Sequence, residues 1–228
     1  MRIGILLYEG VTALDAVGPF EVLARVPGAE IVWVGQRPGL VNATHGLGLR
    51  VDTGYAECPD LDVVLAPGGP GQPAAAEDPE AMRFLRQQAA TARWLTSVCT
   101  GSLLLGAAGL LRGYRATTHW RYMDCLPQLG AIPLRKRVVA DRNRVTAAGV
   151  SAGIDLGLFL AARFAGERTA RSIQLYLEYD PEPPWRTGHP EHADPELVEA
   201  LQEETAESHR RRLDQCRRLG AALKSVHE

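Results

Sequence analysis

Short apolar runs alternate with helical patterns along most of this 228-residue chain, and this alternation constrains its fold more than any other feature. Apolar, β-branched runs are typical of strands buried on both faces of a sheet. They predict strands at 2–7, 30–35, 62–66, 94–98 and 145–148, a hairpin over 137–148 turning at Arg142-Asn143, and short ladders around 49–53 and 115–118. Helical patterns predict helices at 13–25, 79–91, 100–111, 151–165 and 168–178. This order is typical of an α/β protein whose mainly parallel sheet is covered on both faces.

Composition and charge argue against several other classes of protein. The net charge of −2 and the pI near 6.3 give no reason to expect binding to nucleic acid or to a membrane. Cys58, Cys99, Cys125 and Cys216 form no Cys-x-x-Cys pair, which indicates a reducing compartment rather than a disulfide framework or a zinc site. The apolar run that opens the chain is too short for a signal peptide or a membrane span. We therefore expect a cytoplasmic protein with no bound metal.

Cys99 stands where the predicted strand 94–98 ends and a helix begins. The small residues Ser97 and Gly101 lie two residues before and two residues after it. A nucleophile elbow requires small residues at these positions, because its strained turn leaves no space for large side chains. The first amides of the helix would point at the sulfur, and the helix dipole would favour the thiolate. The alternative is a buried core cysteine, but the pattern favours a nucleophile.

A glycine-rich turn, 66–71, follows the predicted strand 62–66. Glycines at such a place let the backbone approach a ligand and leave an amide free to donate. The turn lacks the Gly-Lys-Ser/Thr of a nucleotide-binding loop, and a plain tight turn is the alternative. In a parallel sheet this turn and Cys99 both lie at carboxyl ends of strands, where ligands bind. The amides of Gly69 and Thr100 would then form a pair resembling an oxyanion hole.

Asp15 lies just after the first predicted strand and is the third candidate for the same cleft. One interpretation makes it the partner of Thr12 in a capping box at a helix start. The other places its carboxyl beside Cys99, because the loop after the first strand also opens at the carboxyl edge of the sheet. The sequence leaves both interpretations open.

Several segments together carry a resemblance to a known family. They are Leu14-Asp15 with Gly18-Pro19, Pro67-Gly68-Gly69, Thr96 to Ser102, Ala116-Thr117-Thr118-His119-Trp120, and Leu175 to Pro184. On these residues the chain resembles the ThiJ/PfpI superfamily of class I glutamine amidotransferase-like proteins over essentially its whole length. Within that superfamily it is similar to the branch of bacterial isonitrile hydratases.

The resemblance implies a fold, an activity and a set of site residues. The fold would be a flavodoxin-like three-layer sandwich, and the assembly a homodimer. Cys99 would be the nucleophile, Asp15 its general acid and base, and Thr100 a hydrogen-bonding contributor. The reaction would be the hydration of isonitriles (isocyanides) to N-substituted formamides through a Cys99 thioimidate, without a cofactor.

Two other functions stay open. One is a thiol enzyme of the same superfamily that acts on glyoxal-type carbonyls, and the other is a non-enzymatic stress or regulatory sensor whose cysteine is oxidised. The superfamily's protease-like branch has His directly after the nucleophile, where this chain has Thr100, and its deglycase-like branches have Glu at the position of Asp15. His119 lies where amidotransferase relatives place a triad His, but we expect it to be a packed or hydrogen-bonded wall of the site. We expect His45 to lie on a surface turn, and the spacing of His189 and His192 is not a convincing metal site.

The stretch 180–184 is rich in proline and separates residues 1–190, the predicted α/β domain, from a C-terminal segment, 191–228. This segment is predicted to form one long helix packed on the same domain or on a dimer partner. The first part of this helix is rich in glutamate, and arginines follow the glutamates along it: Arg210, Arg211, Arg212, Arg217 and Arg218. We interpret the arginines as a solvated face that complements the helix dipole rather than as a nucleic-acid site.

Overall fold

A seven-stranded sheet forms the centre of the computed structural model, which describes residues 1–225. The strands of the chain are β1 (Arg2–Leu6), β2 (Glu30–Gly35), β3 (Gly39–Asn42), β4 (Gly48–Val51), β5 (Thr53–Gly54), β6 (Val63–Ala66), β7 (Trp94–Val98), β8 (Arg115–Ala116), β9 (Ile132–Pro133), β10 (Val138–Asp141) and β11 (Arg144–Ala147). The sheet order is β10-β11-β7-β6-β1-β2-β5, and every neighbouring pair is parallel except β10 with β11. The strand pairs β3–β4 and β8–β9 form small separate ladders.

Helices cover the sheet in two groups. They are α1 (Ala13–Leu23), α2 (Gln72–Glu77), α3 (Pro79–Thr91), α4 (Gly101–Ala107), α5 (Cys125–Gln128), α6 (Ala152–Ala165), α7 (Glu167–Tyr176), α8 (Pro195–Glu204) and α9 (Ala206–Ser225). Helices α1, α6 and α7 pack on one another, while α4 packs on α2, α3, α5 and α9. The predicted flavodoxin-like three-layer α/β fold is confirmed. None of the helices in the described part of the chain is long and apolar enough to cross a membrane.

The core strands β6 and β7 are buried and mostly apolar. Every residue of β6 is buried, and in β7 only Trp94 is partly accessible. Between them the two strands bring the glycine-rich turn and Cys99 to the same edge of the sheet, one strand apart. The loop after β1 reaches that edge from the other side of β6, since β6 lies between β1 and β7. Three sequence-distant loops therefore meet there, as predicted.

The C-terminal segment differs from the single long helix that the sequence predicts. It forms two helices, α8 and α9, which meet at Thr205. The hydroxyl of Thr205 donates a hydrogen bond to the Leu201 carbonyl and accepts one from Arg121 Nε at 2.8 Å. A contact with a residue far along the chain thus fixes the break, and the prediction of one helix is wrong. Helix α9 then packs on α4 and α5 of its own chain.

Helix α4 also ends earlier than predicted, at Ala107 rather than at residue 111. Gly109 has a φ of +81°, a left-handed conformation that glycine adopts without strain. The chain turns there, and the leucines at 110 and 111 pack as part of the following turn rather than as helix. The predicted 137–148 hairpin is confirmed, with Asp141 paired to Arg144 around a turn at Arg142-Asn143.

Candidate active site

Cys99 occupies a strained turn between β7 and α4. Its φ is +56°, a left-handed value that is uncommon for a residue with a side chain. Strained backbone conformations of this kind are often found at functional sites. Hydrogen bonds hold this conformation: the Cys99 amide donates to the Ala148 carbonyl at 2.8 Å, and its carbonyl accepts from Thr118 Oγ1 at 2.9 Å. A Cβ at Gly101 would lie 1.8 Å from the Ala66 carbonyl oxygen, so only glycine fits there. The predicted elbow is therefore formed.

Asp15 lies in α1 and is completely buried. Its Oδ2 accepts a hydrogen bond from the Gly68 amide at 2.9 Å, while its Oδ1 has no hydrogen-bond partner among the described residues. The Thr12 side chain makes no capping bond at the start of α1, so the capping-box interpretation of Thr12 and Asp15 is wrong. Burial raises the pKa of Asp15 to about 7, against the lowering effects of the Gly68 amide and the Cys99 thiol.

The pKa of Cys99 is raised rather than lowered. Burial is the largest cause, and the neighbouring Asp15 carboxylate is the second, because a negative charge there disfavours a thiolate. The Thr100 amide, at the start of α4, acts in the opposite direction, as expected of a helix N-terminus. The predicted preference of the resting site for the thiolate is thus wrong, since burial outweighs the helix amide. The thiol needs a base to lose its proton, and Asp15 is the carboxyl beside it.

Thr100 and Gly69 meet, but not as the predicted pair of free amides. The Gly69 amide donates to Thr100 Oγ1 at 3.0 Å in a buried hydrogen bond. This amide is therefore occupied, and the oxyanion-like pair expected from Gly69 and Thr100 is not formed. The Thr100 side chain instead ties the glycine-rich turn to the elbow, and the Thr100 amide faces the Cys99 sulfur.

His119 forms one wall of the site, as the sequence analysis expected. Its Nδ1 accepts a hydrogen bond from the Arg121 amide at 3.3 Å, which leaves the ring proton on Nε2. Burial lowers the pKa of His119 to about 4, and the positive charges of Arg212 and Arg121 add to this effect. The imidazole is therefore neutral near pH 7 and presents a donor.

A cavity of about 730 Å³ opens above the elbow. Cys99, Thr100, Gly69 and His119 line it together with residues from the C-terminal helix, among them Arg212 and Gln215 of α9. A second cavity of about 570 Å³ lies on the other side of His119 and Val150, which line both.

The contribution of α9 was missed by the sequence analysis. Arg212 is only 6% exposed, so the interpretation of the α9 arginines as a solvated face is wrong for this residue. Its pocket position depends on contacts across the fold, and a residue inside a run of arginines carries no local signal of burial. Tyr8 was also missed; its buried hydroxyl donates to the Pro67 carbonyl at 2.8 Å and supports the glycine-rich turn from below.

His45, His189 and His192 do not line this cavity. His45 is exposed on a short 3₁₀ turn, and the rings of His189 and His192 lie 5.6 Å apart in the polar segment before α8. Within residues 1–225, no group of three or more His, Cys, Asp or Glu side chains is arranged to hold a metal ion.

A strand-to-helix turn that carries a cysteine at positive φ, with a buried carboxyl beside it, defines a class of α/β proteins built around a nucleophile elbow. Within that class, this chain belongs to the DJ-1/PfpI family, whose model matches residues 1–163.

Individual relatives cover more of the chain. It is 47% identical over 225 residues to the isonitrile hydratase of Pseudomonas putida, covering 98% of both proteins. The crystal structure of a ThiJ/PfpI family protein from Pseudomonas syringae superposes with a TM-score of 0.91 at 42% identity, covering 96% of this chain and 90% of that one. The HTH-type transcriptional regulator GbdR of Pseudomonas aeruginosa is 32% identical over 186 residues, but the match covers only 50% of that regulator's length and 78% of this chain.

Proposed function

We propose that this protein hydrates isonitriles to N-substituted formamides without a cofactor, with Cys99 as nucleophile and Asp15 as general acid and base. One observation carries the proposal: a buried carboxyl with a pKa near 7 lies against the thiol of the elbow. A group that titrates near neutral pH can both accept and deliver a proton. The full-length similarity to an isonitrile hydratase supports the choice of substrate class.

The first step adds the thiol across the terminal carbon of R–N≡C. Ionised Asp15 takes the proton of the Cys99 thiol, the sulfur attacks the carbon, and neutral Asp15 returns that proton to the same carbon. The product is a thioimidate, R–N=CH–S–Cys99, and Asp15 is again a carboxylate. The raised pKa of Asp15 suits both halves of the step, because a carboxyl with an ordinary pKa of 3.8 would hold too little of the neutral acid.

The second step adds water to the thioimidate carbon. The Asp15 carboxylate removes a proton from the attacking water and passes it to the nitrogen as the tetrahedral adduct R–NH–CH(OH)–S–Cys99 forms. As the adduct collapses, the Asp15 carboxylate takes the hydroxyl proton and the carbon–sulfur bond breaks, which releases R–NH–CHO. Asp15 then returns that proton to the sulfur, which restores the Cys99 thiol and the carboxylate. The Thr100 amide, which faces the sulfur, stabilises its negative charge in both steps. The Nε2 proton of neutral His119 is available to the substrate from the cavity wall.

The test is a product analysis in deuterium oxide. The purified protein, with no added metal or nucleotide, should convert a simple alkyl isocyanide to its formamide with deuterium on the formyl carbon. Cys99→Ala should lose this activity and keep its fold, whereas Cys58→Ala, which alters a thiol outside the cavity, should keep both. If isocyanides are returned unchanged while methylglyoxal is consumed through Cys99, the carbonyl-directed alternative replaces the proposal. If neither compound reacts and Cys99 is only oxidised, the sensor function replaces it.

We further propose that the protein is a homodimer. Large apolar side chains are exposed on α7 and just after it, with Leu175, Tyr176 and Trp185 at 73–81% exposure. A face of this kind is typical of a protein–protein contact. The cytoplasmic location and the division into residues 1–190 and 191–228 stay predictions from the sequence.

A further inference from the structure

Arg212 is a buried cation in the wall of the Cys99 cavity. It enters from α9 and is held on three sides. Its Nε donates to Gln72 Oε1 at 2.8 Å, its Nη2 donates to the Gly69 carbonyl at 3.3 Å, and its guanidinium stacks over the Tyr122 ring at 4.3 Å. All three contacts are to neutral groups, so they fix the orientation of the guanidinium without neutralising its charge.

No carboxylate pairs with Arg212 anywhere in residues 1–225. The other two arginines that line the cavity differ in this respect. Arg211 pairs with Glu207, and Arg218 pairs with Glu77 at 2.9 Å. A buried charge without a partner is costly, and the ordinary solution is an ion pair. Arg212 is the most deeply buried of the three arginines, and it is the one that has no anionic partner among the described residues.

The buried carboxyl of Asp15 does not serve as that anion. The pKa of Asp15 is set by burial, the Gly68 amide and the Cys99 thiol, and its Oδ2 is bonded to the Gly68 amide. Neutral His119 supplies no negative charge, and Glu207 is engaged by Arg211. The cavity therefore has a net positive wall, although the chain as a whole carries a net charge of −2.

The guanidinium also has donors to spare. Nη1 makes no hydrogen bond in the described structure, and it is not among the fully buried atoms that lack a partner, so it has access to the cavity. A planar guanidinium with free donors on one side matches a carboxylate in a two-bond arrangement.

From this geometry we infer that Arg212 binds a carboxylate of the substrate, so that the preferred substrates are isonitriles that carry an acidic group. This inference rests on the proposed isonitrile hydration. The carboxylate lies on Arg212 while the isonitrile carbon lies at Cys99, and the cavity of about 730 Å³ has room for the connecting group. Arg212 thereby selects the substrate and holds its reacting end over the elbow.

The first experiment compares isocyanoacetate with its methyl ester, which differ mainly in the charge. The wild-type protein should show a kcat/KM at least about tenfold higher for isocyanoacetate, because a charged hydrogen-bonded pair contributes that much or more. Arg212→Met should abolish this preference, mainly through KM. The matched control is Arg217→Met, since Arg217 lies on α9 outside the cavity and pairs with Asp214.

A second experiment does not depend on isonitrile chemistry. Iodoacetate and iodoacetamide alkylate Cys99 with and without a carboxylate, and their rate ratio is normalised to that for free N-acetylcysteine. The normalised ratio should favour iodoacetate in the wild-type protein and in Arg217→Met, and should fall several-fold in Arg212→Met. If Arg212 only anchored α9, its loss would slow both reagents equally and leave the ratio unchanged.

The outcomes separate the two proposals. A wild-type protein that prefers the methyl ester, or that alkylates with no normalised preference for iodoacetate, overturns the inference even where Arg212→Met fails to fold. If neither isocyanide is consumed but iodoacetate is still preferred, the isonitrile function is wrong and the carboxylate site stands. If both isocyanides are consumed equally and the alkylation ratio is flat, the function stands and the carboxylate site is wrong.

Discussion

At the scale of single residues, the site depends on two acids that oppose each other. Burial raises the pKa of both Asp15 and Cys99, and the charged Asp15 carboxylate raises the pKa of Cys99 further. The pair therefore carries no more than one negative charge near neutral pH. A limit of one charge lets the thiol become nucleophilic only as the carboxyl becomes acidic, which is what proton delivery to an isonitrile carbon requires.

Asp15→Asn should change the pH dependence of stability. The pKa of Asp15 lies near 7 in the folded protein against an ordinary 3.8, so the folded state holds this proton more tightly than the unfolded state. The contribution of this proton to the free energy of unfolding is therefore fully present below about pH 4 and is lost as the pH rises to about 7. Asparagine lacks this loss and can still accept from the Gly68 amide. Urea denaturation should show the variant more stable at pH 8, by up to roughly 4 kcal/mol, and nearly equal to wild type at pH 4.

The control for that comparison is Asp60→Asn, which alters an exposed carboxyl and should leave the pH dependence as in wild type. Equal loss of stability at both pH values in Asp15→Asn would contradict the assignment. Asp15→Asn should also lower the rate of isonitrile turnover at least about a hundredfold.

Alkylation of Cys99 by iodoacetamide should follow the ionisation of Asp15. Above pH 7 the carboxylate accepts the thiol proton, so the rate should rise through about pH 7, and Asp15→Asn should remove this rise. Peptide mass spectrometry can follow Cys58, Cys125 and Cys216 in the same sample. Burial raises the pKa of Cys99 as well as that of Cys58, but Cys99 lines the cavity with the Asp15 carboxyl beside it to accept the thiol proton. Cys99 should therefore be labelled first near neutral pH, while Cys125 and Cys216 are buried between α5 and α9. Simultaneous labelling of all four thiols would argue against a catalytic pair.

At the scale of elements, the elbow and α9 are positioned by backbone contacts that admit only glycine. Gly101 lets α4 begin against β6, and Gly220 lets α9 lie directly on the backbone of α5, where a Cβ would be 1.8 Å from the Gln128 carbonyl oxygen. Arg212 lies eight residues before Gly220 on α9, a distance of about 12 Å along the helix axis. The docking of α9 on α5 therefore sets the place of the guanidinium in the cavity.

Gly220→Ala tests this coupling. Alanine favours a helix by about 1 kcal/mol over glycine, so any loss has to come from the contact with α5. We expect α9 to shift away from α5, with a lower melting temperature and a weakened preference of Cys99 for iodoacetate over iodoacetamide. Gly188→Ala is the control, because a Cβ there meets nothing within 4 Å. Unchanged stability and an unchanged alkylation ratio would show that α9 has room to adjust.

The sequence predicted the parts of the site that follow from local patterns. A buried apolar strand, a cysteine between small residues and a glycine-rich turn each show in a few consecutive residues, and parallel-strand topology brings their ends together. Burial of a polar group does not show in this way. The raised pKa of Asp15, the occupied amide of Gly69 and the position of Arg212 all depend on contacts between residues 31 to 143 positions apart. The break at Thr205 has the same origin, since Arg121 fixes it.

At the scale of the whole molecule, the sheet leaves its reactive edge to be covered by other segments. Helix α9 covers it on one side of His119, while the second cavity on the other side is lined by Leu14 and by the segment around His189. The exposed apolar residues Leu175, Tyr176 and Trp185 precede the segment around His189 in the chain. We propose that the homodimer contact uses this apolar surface.

Leu175→Glu should weaken that dimer. Leu175 is 81% exposed on α7, so a charge there costs little in a monomer but is unfavourable in a buried apolar contact. Light scattering after size-exclusion chromatography should give a dimer for wild type and a monomer, 24.7 kDa, for the variant. Leu40→Glu, at 74% exposure on β3, is the matched control and should stay dimeric. A monomeric wild type would rule the proposal out.

The family match ends at residue 163, whereas the helix that walls the thiol cavity begins at Ala206. Cys99 and Asp15 thus lie inside the matched part of the chain, and Arg212 lies outside it. Exchange of residues 206–225 between relatives that share the elbow would alter which molecules enter while the thiol and its acid stay the same. Two proteins that are similar over the matched domain can then differ in substrate, and we expect that difference to show in the residues of the helix at 206–225.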